Sequence, residues 1–312
     1  MLLKRVGVLA ALFLLLTLVP VVSIGDQPPA SQASAACRKA PKWQNQTTKF
    51  GIGLSTRGHS NLQQDLQSEQ KRFGTRIPVI RTWDTGMPRS YAWEERSQWF
   101  GKRWIVTSLK LDPKQVNSGR HDAALRNYFK TAPRKQPIFY SLFHEPEDEV
   151  KRGEFTPKEF RQAFRRVVRI AASYCRDNLY PTLVLMSWTA DPRSKLDWRD
   201  YYPGPRFVSV LGWDPYNGAN GDAKSYRTPR EIFGPVVRAS KAAGKRFGVA
   251  ETGTVRIPGD SAGTGRAAWL RATAKYLDKH NSAWVTYFQS TTKGDFELRD
   301  QPSVAAWREA MR

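Results

Sequence analysis

Phe139-Tyr140-Ser141-Leu142-Phe143-His144-Glu145-Pro146 decides how this chain folds. A short apolar run ends abruptly in histidine, glutamate and proline. Such a run reads as a buried strand, and the proline closes it. The same grammar returns in Phe247-Gly248-Val249-Ala250-Glu251-Thr252-Gly253, where a second apolar run ends in glutamate and turn chemistry. Either glutamate alone could be an ordinary surface residue that follows a strand. Two of them, each at the C-terminal tip of a core strand, mark the rim on which parallel barrels carry their working side chains.

Working outward, the pattern is strand then helix, repeated. Apolar runs predict strands at 50–55, 78–83, 104–109, 137–144, 182–188, 207–213, 246–251 and 283–289. Helical periodicity predicts helices at 61–73, 122–130, 157–177, 228–243, 266–280 and 303–311. Thr156-Pro157 and Thr228-Pro229 open two of them with a hydroxyl cap and a proline in the first turn. Strands alternating with helices give the α/β class, a parallel sheet and right-handed crossovers. Eight such units close into a (β/α)8 TIM barrel, here a single domain over residues 37–312. An open doubly wound sheet would want a glycine-rich phosphate loop after an early strand. Gly51-Ile52-Gly53 is too short for that and lies inside the strand.

The chain has 312 residues, enough for one large core, and its 12% aromatic content is that of a folded domain. Lys4 and Arg5 precede an apolar stretch, 6–24, broken by Thr17, Pro20 and Ser23, and then a stretch of small and polar residues. This layout makes 1–36 a secretory leader, with Ala33-Ser34-Ala35 as a cleavage site. The apolar stretch also has the length of an uncleaved membrane anchor. Ser34-Ala35-Ala36-Cys37 offers a third reading, a lipoprotein box that lacks its usual aliphatic residue. All three place the globular part outside the cytoplasm, secreted or anchored. There, the only two cysteines, Cys37 and Cys175, are expected to form a disulfide. Asn45-Gln46-Thr47 is a glycosylation acceptor if the source glycosylates.

The formal net charge is +22, with basic residues spread along the whole chain. Arg161, Arg165, Arg166 and Arg169 share a predicted helix and could form a basic face. Such a charge suits polyanions: anionic cell-envelope polymers, acidic polysaccharide or nucleic acid. No nucleic-acid motif accompanies it, so the expected association is with an anionic envelope, and the protein is expected to be a monomer.

The two glutamates suggest a reaction. Strands four and seven of an eight-stranded barrel face each other across its mouth. A carboxylic acid on one side and a carboxylate on the other is the equipment of a retaining glycoside hydrolase. Trp83, Trp188 and Trp213 end predicted strands and could stack on a sugar's apolar face, Trp188 foremost. Arg81, Asp84 and Arg57 also lie near strand ends and could bind hydroxyls or a carboxylate. Other chemistries lack their signatures. His59, His121, His144 and His280 show no metal-ligand spacing, and no serine elbow or Walker loop is present. Asp148, between Glu147 and Glu149, reads as a solvated acidic loop. No metal or cofactor is expected.

Three ordered motifs resemble glycoside hydrolase family 26, a group of barrel glycosidases. The first is His144-Glu145 at the end of strand four. The second is Tyr202-Pro203-Gly204, then the apolar run 207–212, then Asp214 and Tyr216-Asn217. The third is Glu251-Thr252-Gly253. The resemblance spans about 50–289. It implies a secreted β-mannanase-like endo-hydrolase acting on a polysaccharide, with Glu145 as general acid/base and Glu251 as nucleophile. It also implies that His144 bonds the sugar in the cleaved subsite and that Tyr216 orients Glu251, with Asp214 in support. Two departures bear on the substrate. The family's mannanases carry aromatics soon after the acid/base, where this chain has the charged segment 147–152. The clan often ends strand eight in tryptophan, where this chain has Thr286-Tyr287-Phe288-Gln289. The alternative is a barrel that binds glycan or envelope without turnover.

Overall fold

The computed structural model describes residues 46–55 and 61–312. The leader, Cys37, Asn45, Arg57 and His59 lie outside them. No described cysteine is free.

Eight strands form a closed barrel in sequence order, every neighbouring pair parallel. They are β1 (Lys49–Gly53), β2 (Val79–Trp83), β3 (Trp104–Ser108), β4 (Ile138–Ser141), β5 (Leu179–Met186), β6 (Val210–Asp214), β7 (Phe247–Thr252) and β8 (Trp284–Tyr287). Around them lie α1 (Leu62–Phe73), α2 (Ala92–Phe100), α3 (Pro113–Asn117), α4 (Asp122–Thr131), α5 (Glu147–Lys151), α6 (Pro157–Ala172), α7 (Pro229–Ala242), α8 (Thr264–Lys279) and α9 (Gln301–Met311).

Alternation along each strand sorts side chains into two cores. Outward residues such as Ile52, Ile105 and Leu211 pack under the helices. Inward residues fill the barrel itself. Near the strands' N-terminal ends the interior is closed by rings: Phe139 lies 5.7 Å from Trp104, 5.3 Å from Tyr180 and 5.5 Å from Trp284. Two glycines permit this. A Cβ at Gly248 would fall 2.5 Å from the Trp284 ring, and one at Gly51 would fall 1.7 Å from the Val79 carbonyl oxygen. Bulk is excluded there so that aromatics and neighbouring backbone can close in.

α6 shows how an outer helix is written. Thr156 and Glu159 form a reciprocal capping box, and Phe160, Ala163, Phe164, Val167 and Ala171 form one buried stripe. It ends at Ala172, not at 177, because the chain turns off through Cys175 at φ 46°. Its arginines do not form the expected basic face. Arg161 and Arg165 donate to the carbonyls of Asp200 and Pro203. Arg166 holds the Asp122 carboxylate, and Arg169 sits 5.4 Å from the Phe207 ring.

Two features go beyond the elements read from the sequence. The β5–β6 crossover contains no α-helix; it runs through 3-10 turns at Ser187–Ala190, Pro192–Ser194 and Trp198–Tyr201. Trp198 and Tyr201 are buried there and cover the barrel in a helix's place. α2, α3 and α5 were not anticipated. α2 buries Arg96 beside Trp93 and Phe100, which breaks the apolar period that would reveal it.

Candidate active site

The C-terminal ends of the strands open into a cleft of about 890 Å³. His144, Glu145, Asp214, Tyr216, Glu251, Trp83 and Trp188 all line it, with Lys110, Phe288 and Lys293. Local backbone irregularities aim the two glutamates.

After β4 the chain bends. The Ser141 hydroxyl donates to the Phe143 carbonyl at 2.8 Å, and Phe143 turns outward against Phe155. His144 then pairs with Val184 of β5. Glu145 donates its N–H to the Val184 carbonyl and takes φ 50°, a left-handed conformation that is uncommon without glycine. On β7 the pairing with β8 shifts: Val249 faces Val285, but Thr252 faces Tyr287. Three steps on β7 match two on β8, a bulge. Since Ala250 belongs to the inner core, unbroken alternation would send Glu251 outward. The extra residue lets it line the cleft.

The carboxyls live in different surroundings. Glu251 is 9% exposed. The Tyr216 hydroxyl donates to its Oε2 at 2.9 Å, and Arg81 Nη2 lies 3.6 Å from Oε1. Arg81 is wholly buried; its Nη1 donates to the Thr82 carbonyl, and its Nε and Nη2 have no hydrogen-bond partner among the described residues. Burial raises the Glu251 carboxyl, and Arg81 and the Tyr216 hydroxyl offset only part of that rise. Glu145 has no comparable donor among the described residues. Burial and the Glu251 charge push it up to about 7. Asp214, at the end of β6, is pushed well above the carboxylate range by burial and then by Glu251 and Glu145, and neither of its oxygens has a hydrogen-bond partner among the described residues. Burial, then Glu251 and Asp214, also raise Tyr216, so its hydroxyl keeps its proton. Burial, then Arg81 and Lys110, hold His144 well below the usual histidine range, leaving a neutral imidazole.

Two residues beyond Glu145, Glu147 is buried and pushed up to about 8, chiefly by burial. Its Oε1 accepts from the Met186 N–H at 2.9 Å and the Thr189 hydroxyl at 2.7 Å. These bonds tie α5 to the turn that carries Trp188. Trp188 is 49% exposed, with the Arg193 guanidinium 5.6 Å from its ring. Across the cleft Trp83 stacks on Phe288 at 6.1 Å, and Phe288 meets Tyr216 edge-on at 5.9 Å.

Trp213 is not in the cleft. Asp214 faces inward, so its neighbour must face outward; Trp213 is buried and donates to the Ser240 hydroxyl of α7 at 2.9 Å. Asp84 is held bidentately by Arg96 and lines a separate groove. Arg57 lies outside the described residues. Sequence reasoning missed Phe288, Glu147, Lys110 and Lys293. Counting by twos from Trp284 would have found Phe288; the others follow no pattern. Among the described residues no group of three His, Cys, Asp or Glu is placed to hold a metal ion. Glu149, beside Asp148, instead pairs with Lys110 and Arg152.

The arrangement supplies one carboxyl that holds its proton near neutrality, one carboxylate braced by a cation and a hydroxyl, and aromatic walls. Comparison with known proteins gives a consistent family. The profile of Glycosyl hydrolase family 26 matches residues 42–286. Among solved structures, the catalytic domain of the Bacillus sp. JAMB-750 GH26 endo-beta-1,4-mannanase superposes with TM-score 0.61 at 13% identity, covering 90% of this chain and 89% of that one. An endo-beta-1,4-mannanase double mutant from Cellulomonas fimi gives 0.59 at 13% identity, over 89% and 74%. A ruminal GH26 endo-beta-1,4-mannanase gives 0.56 at 13%, over 85% and 63%.

Proposed function

The chain belongs to glycosyl hydrolase family 26 and is a glycoside hydrolase, and on that premise we propose a retaining, mannanase-like endo-hydrolase that works outside the cytoplasm on a β-linked polysaccharide. Glu145 protonates the leaving oxygen while Glu251 attacks the anomeric carbon. A glycosyl-enzyme forms, and Glu145 then takes a proton from water as that water displaces Glu251. One observation carries this assignment of roles: Tyr216 and Arg81 both address Glu251, whereas burial and that charge hold Glu145 at about 7. An acid and a nucleophile need environments that differ in this way.

His144, as a neutral imidazole, can exchange hydrogen bonds with a sugar hydroxyl. Asp214, as a neutral carboxyl whose oxygens have no hydrogen-bond partner among the described residues, can do the same. Trp188 on one side and Trp83 with Phe288 on the other offer stacking surfaces.

The test is hydrolysis of a panel of mannans, mixed-linkage glucans, xylans and acidic glycans by the wild type, Glu145→Gln and Glu251→Gln. Oligosaccharide release by the wild type, lost in both variants, supports the proposal and names the substrate. Binding without release, kept by both variants, replaces it with a glycan-binding barrel.

A further inference from the structure

The other end of the barrel carries a charge pattern that the glycosidase reading does not use. Seven loops enter strands there, at 74–78, 101–103, 132–137, 173–178, 202–209, 243–246 and 280–283. Together they hold nine Lys or Arg and one acid, Asp177. The six loops that leave β2, β3, β4, β6, β7 and β8 at the cleft end, 84–91, 109–112, 142–146, 215–228, 253–263 and 288–300, hold seven basic and eight acidic residues.

Part of the excess belongs to the fold. Helices end at this face, and their last carbonyls favour cations. Arg103 donates to the Phe100 carbonyl, and Arg176 to those of Phe129, Ala132 and Pro133. Lys245 and Arg246 bind the carbonyls of Pro205 and Asn281. Four others have no such use among the described residues. Arg76, Lys102, Arg134 and Lys135 are exposed and form no ion pair among the described residues. A groove of about 660 Å³ at Arg76 is also lined by Lys49, Lys275 and Arg312, with Asp278 as its one acid. Arg103 is pulled down from the usual arginine range by burial and then by Arg76, as expected where cations crowd without counter-charge.

The chain also arrives at this face. Arg246 Nη2 donates to the Gln46 carbonyl at 2.9 Å, and Thr47 and Thr48 line the groove. The 21 residues 25–45 separate this point from the apolar sequence 6–24. Extended, they reach at most about 70 Å.

We infer that the strand-entry face of the barrel is a docking surface for an anionic phospholipid bilayer. The cations are spread over a whole end of the molecule, as a planar array of phosphates would require. The described chain arrives at this face through Gln46, Thr47 and Thr48. The cleft, at the opposite end, is left open to a polymer in solution. Each Lys or Arg held near such a surface adds to the attraction, and salt screens it. This inference stands whether or not the catalytic reading does.

The experiment measures partitioning of the full chain onto vesicles of phosphatidylcholine alone and of phosphatidylcholine with about a third phosphatidylglycerol. The apolar sequence contributes to both, so the ratio between them isolates the charge term. The ratio should exceed about tenfold at low salt and collapse towards one in about 0.5 M NaCl. The triple variant Arg76→Glu, Lys102→Glu, Arg134→Glu should lower it at least about tenfold. An equal charge change at the cleft end, Arg89→Glu, Lys224→Glu, Arg256→Glu, should leave it within about twofold. Circular dichroism melts of both variants confirm folding, and Arg76→Lys with Arg134→Lys should restore the ratio if the first triple is unstable. No preference for anionic vesicles, equal loss in both triples, or capture by soluble polyphosphate without vesicle binding would each overturn the inference.

Discussion

The two ends of this barrel handle charge in opposite ways. At the cleft, carboxyls are buried together around the Arg81 guanidinium, and the cost appears as carboxyls that resist ionisation: Glu145, Asp214 and Glu147 are all raised. At the strand-entry end, cations stand in water, where like-charge crowding costs little. Burial converts proximity into chemistry at one end, and exposure leaves it as long-range attraction at the other.

The contrast breaks first, if it breaks, at Glu251. Glu251→Gln should lower kcat by roughly 10⁴-fold or more, since a covalent route has no substitute nucleophile. Glu145→Gln should cost roughly 10²- to 10⁴-fold on polysaccharide and less on an aryl glycoside whose leaving group needs no proton. In the wild type, kcat/KM should fall as pH rises through about 7, where Glu145 loses its proton. A flat profile from pH 6 to 8 would remove Glu145 from the acid role.

Tyr216→Phe tests the bracing of the carboxylate. A hydrogen bond to a charged group is worth about 1.5–3 kcal/mol, so kcat/KM should fall roughly 10- to 150-fold, with far-ultraviolet circular dichroism unchanged.

Glu147 sharpens the comparison through stability. Its unfolded carboxyl ionises near 4.5, its folded one near 8. Between those values the folded chain holds a proton that the unfolded chain has lost, so rising pH favours unfolding. Glu147→Gln keeps a neutral group there. Its Tm should decline less between pH 5 and pH 8 than that of the wild type, by several degrees at about 2–4 °C per kcal/mol.

The smallest effect belongs to the far end. Arg134→Glu with Lys135→Glu should leave kcat/KM within about twofold and its alkaline limb within a few tenths of a pH unit at about 0.15 M salt, because the barrel's length exceeds the screening distance several-fold. A larger shift in the limb would show that the ends communicate.

Much of this was readable before any coordinates. The barrel followed from eight apolar runs with helices between most of them, and the two glutamates from their place after two of those runs. What could not be read was parity. Trp213 and Trp188 look alike in sequence, yet one faces a helix and the other the cleft, because inward and outward are set by register. Glu251 itself depends on the bulge in β7, which no local motif announces. The β5–β6 crossover eluded reading for another reason: its 3-10 turns are held by Trp198 and Tyr201 docking on the barrel, a tertiary effect that local propensity does not contain. Glu147 was read as part of a solvated acidic loop because its burial is decided by Met186 and Thr189, some forty residues away.

The Phe139 ring with its three aromatic neighbours acts as a bulkhead. It closes the barrel interior between the cleft and the strand-entry face. Changes in front of it and behind it should therefore add without interacting. An engineer could refit the rear face for a bead, a different lipid or no surface at all and leave the forward compartment's tuning as it stands, and selection has had the same liberty.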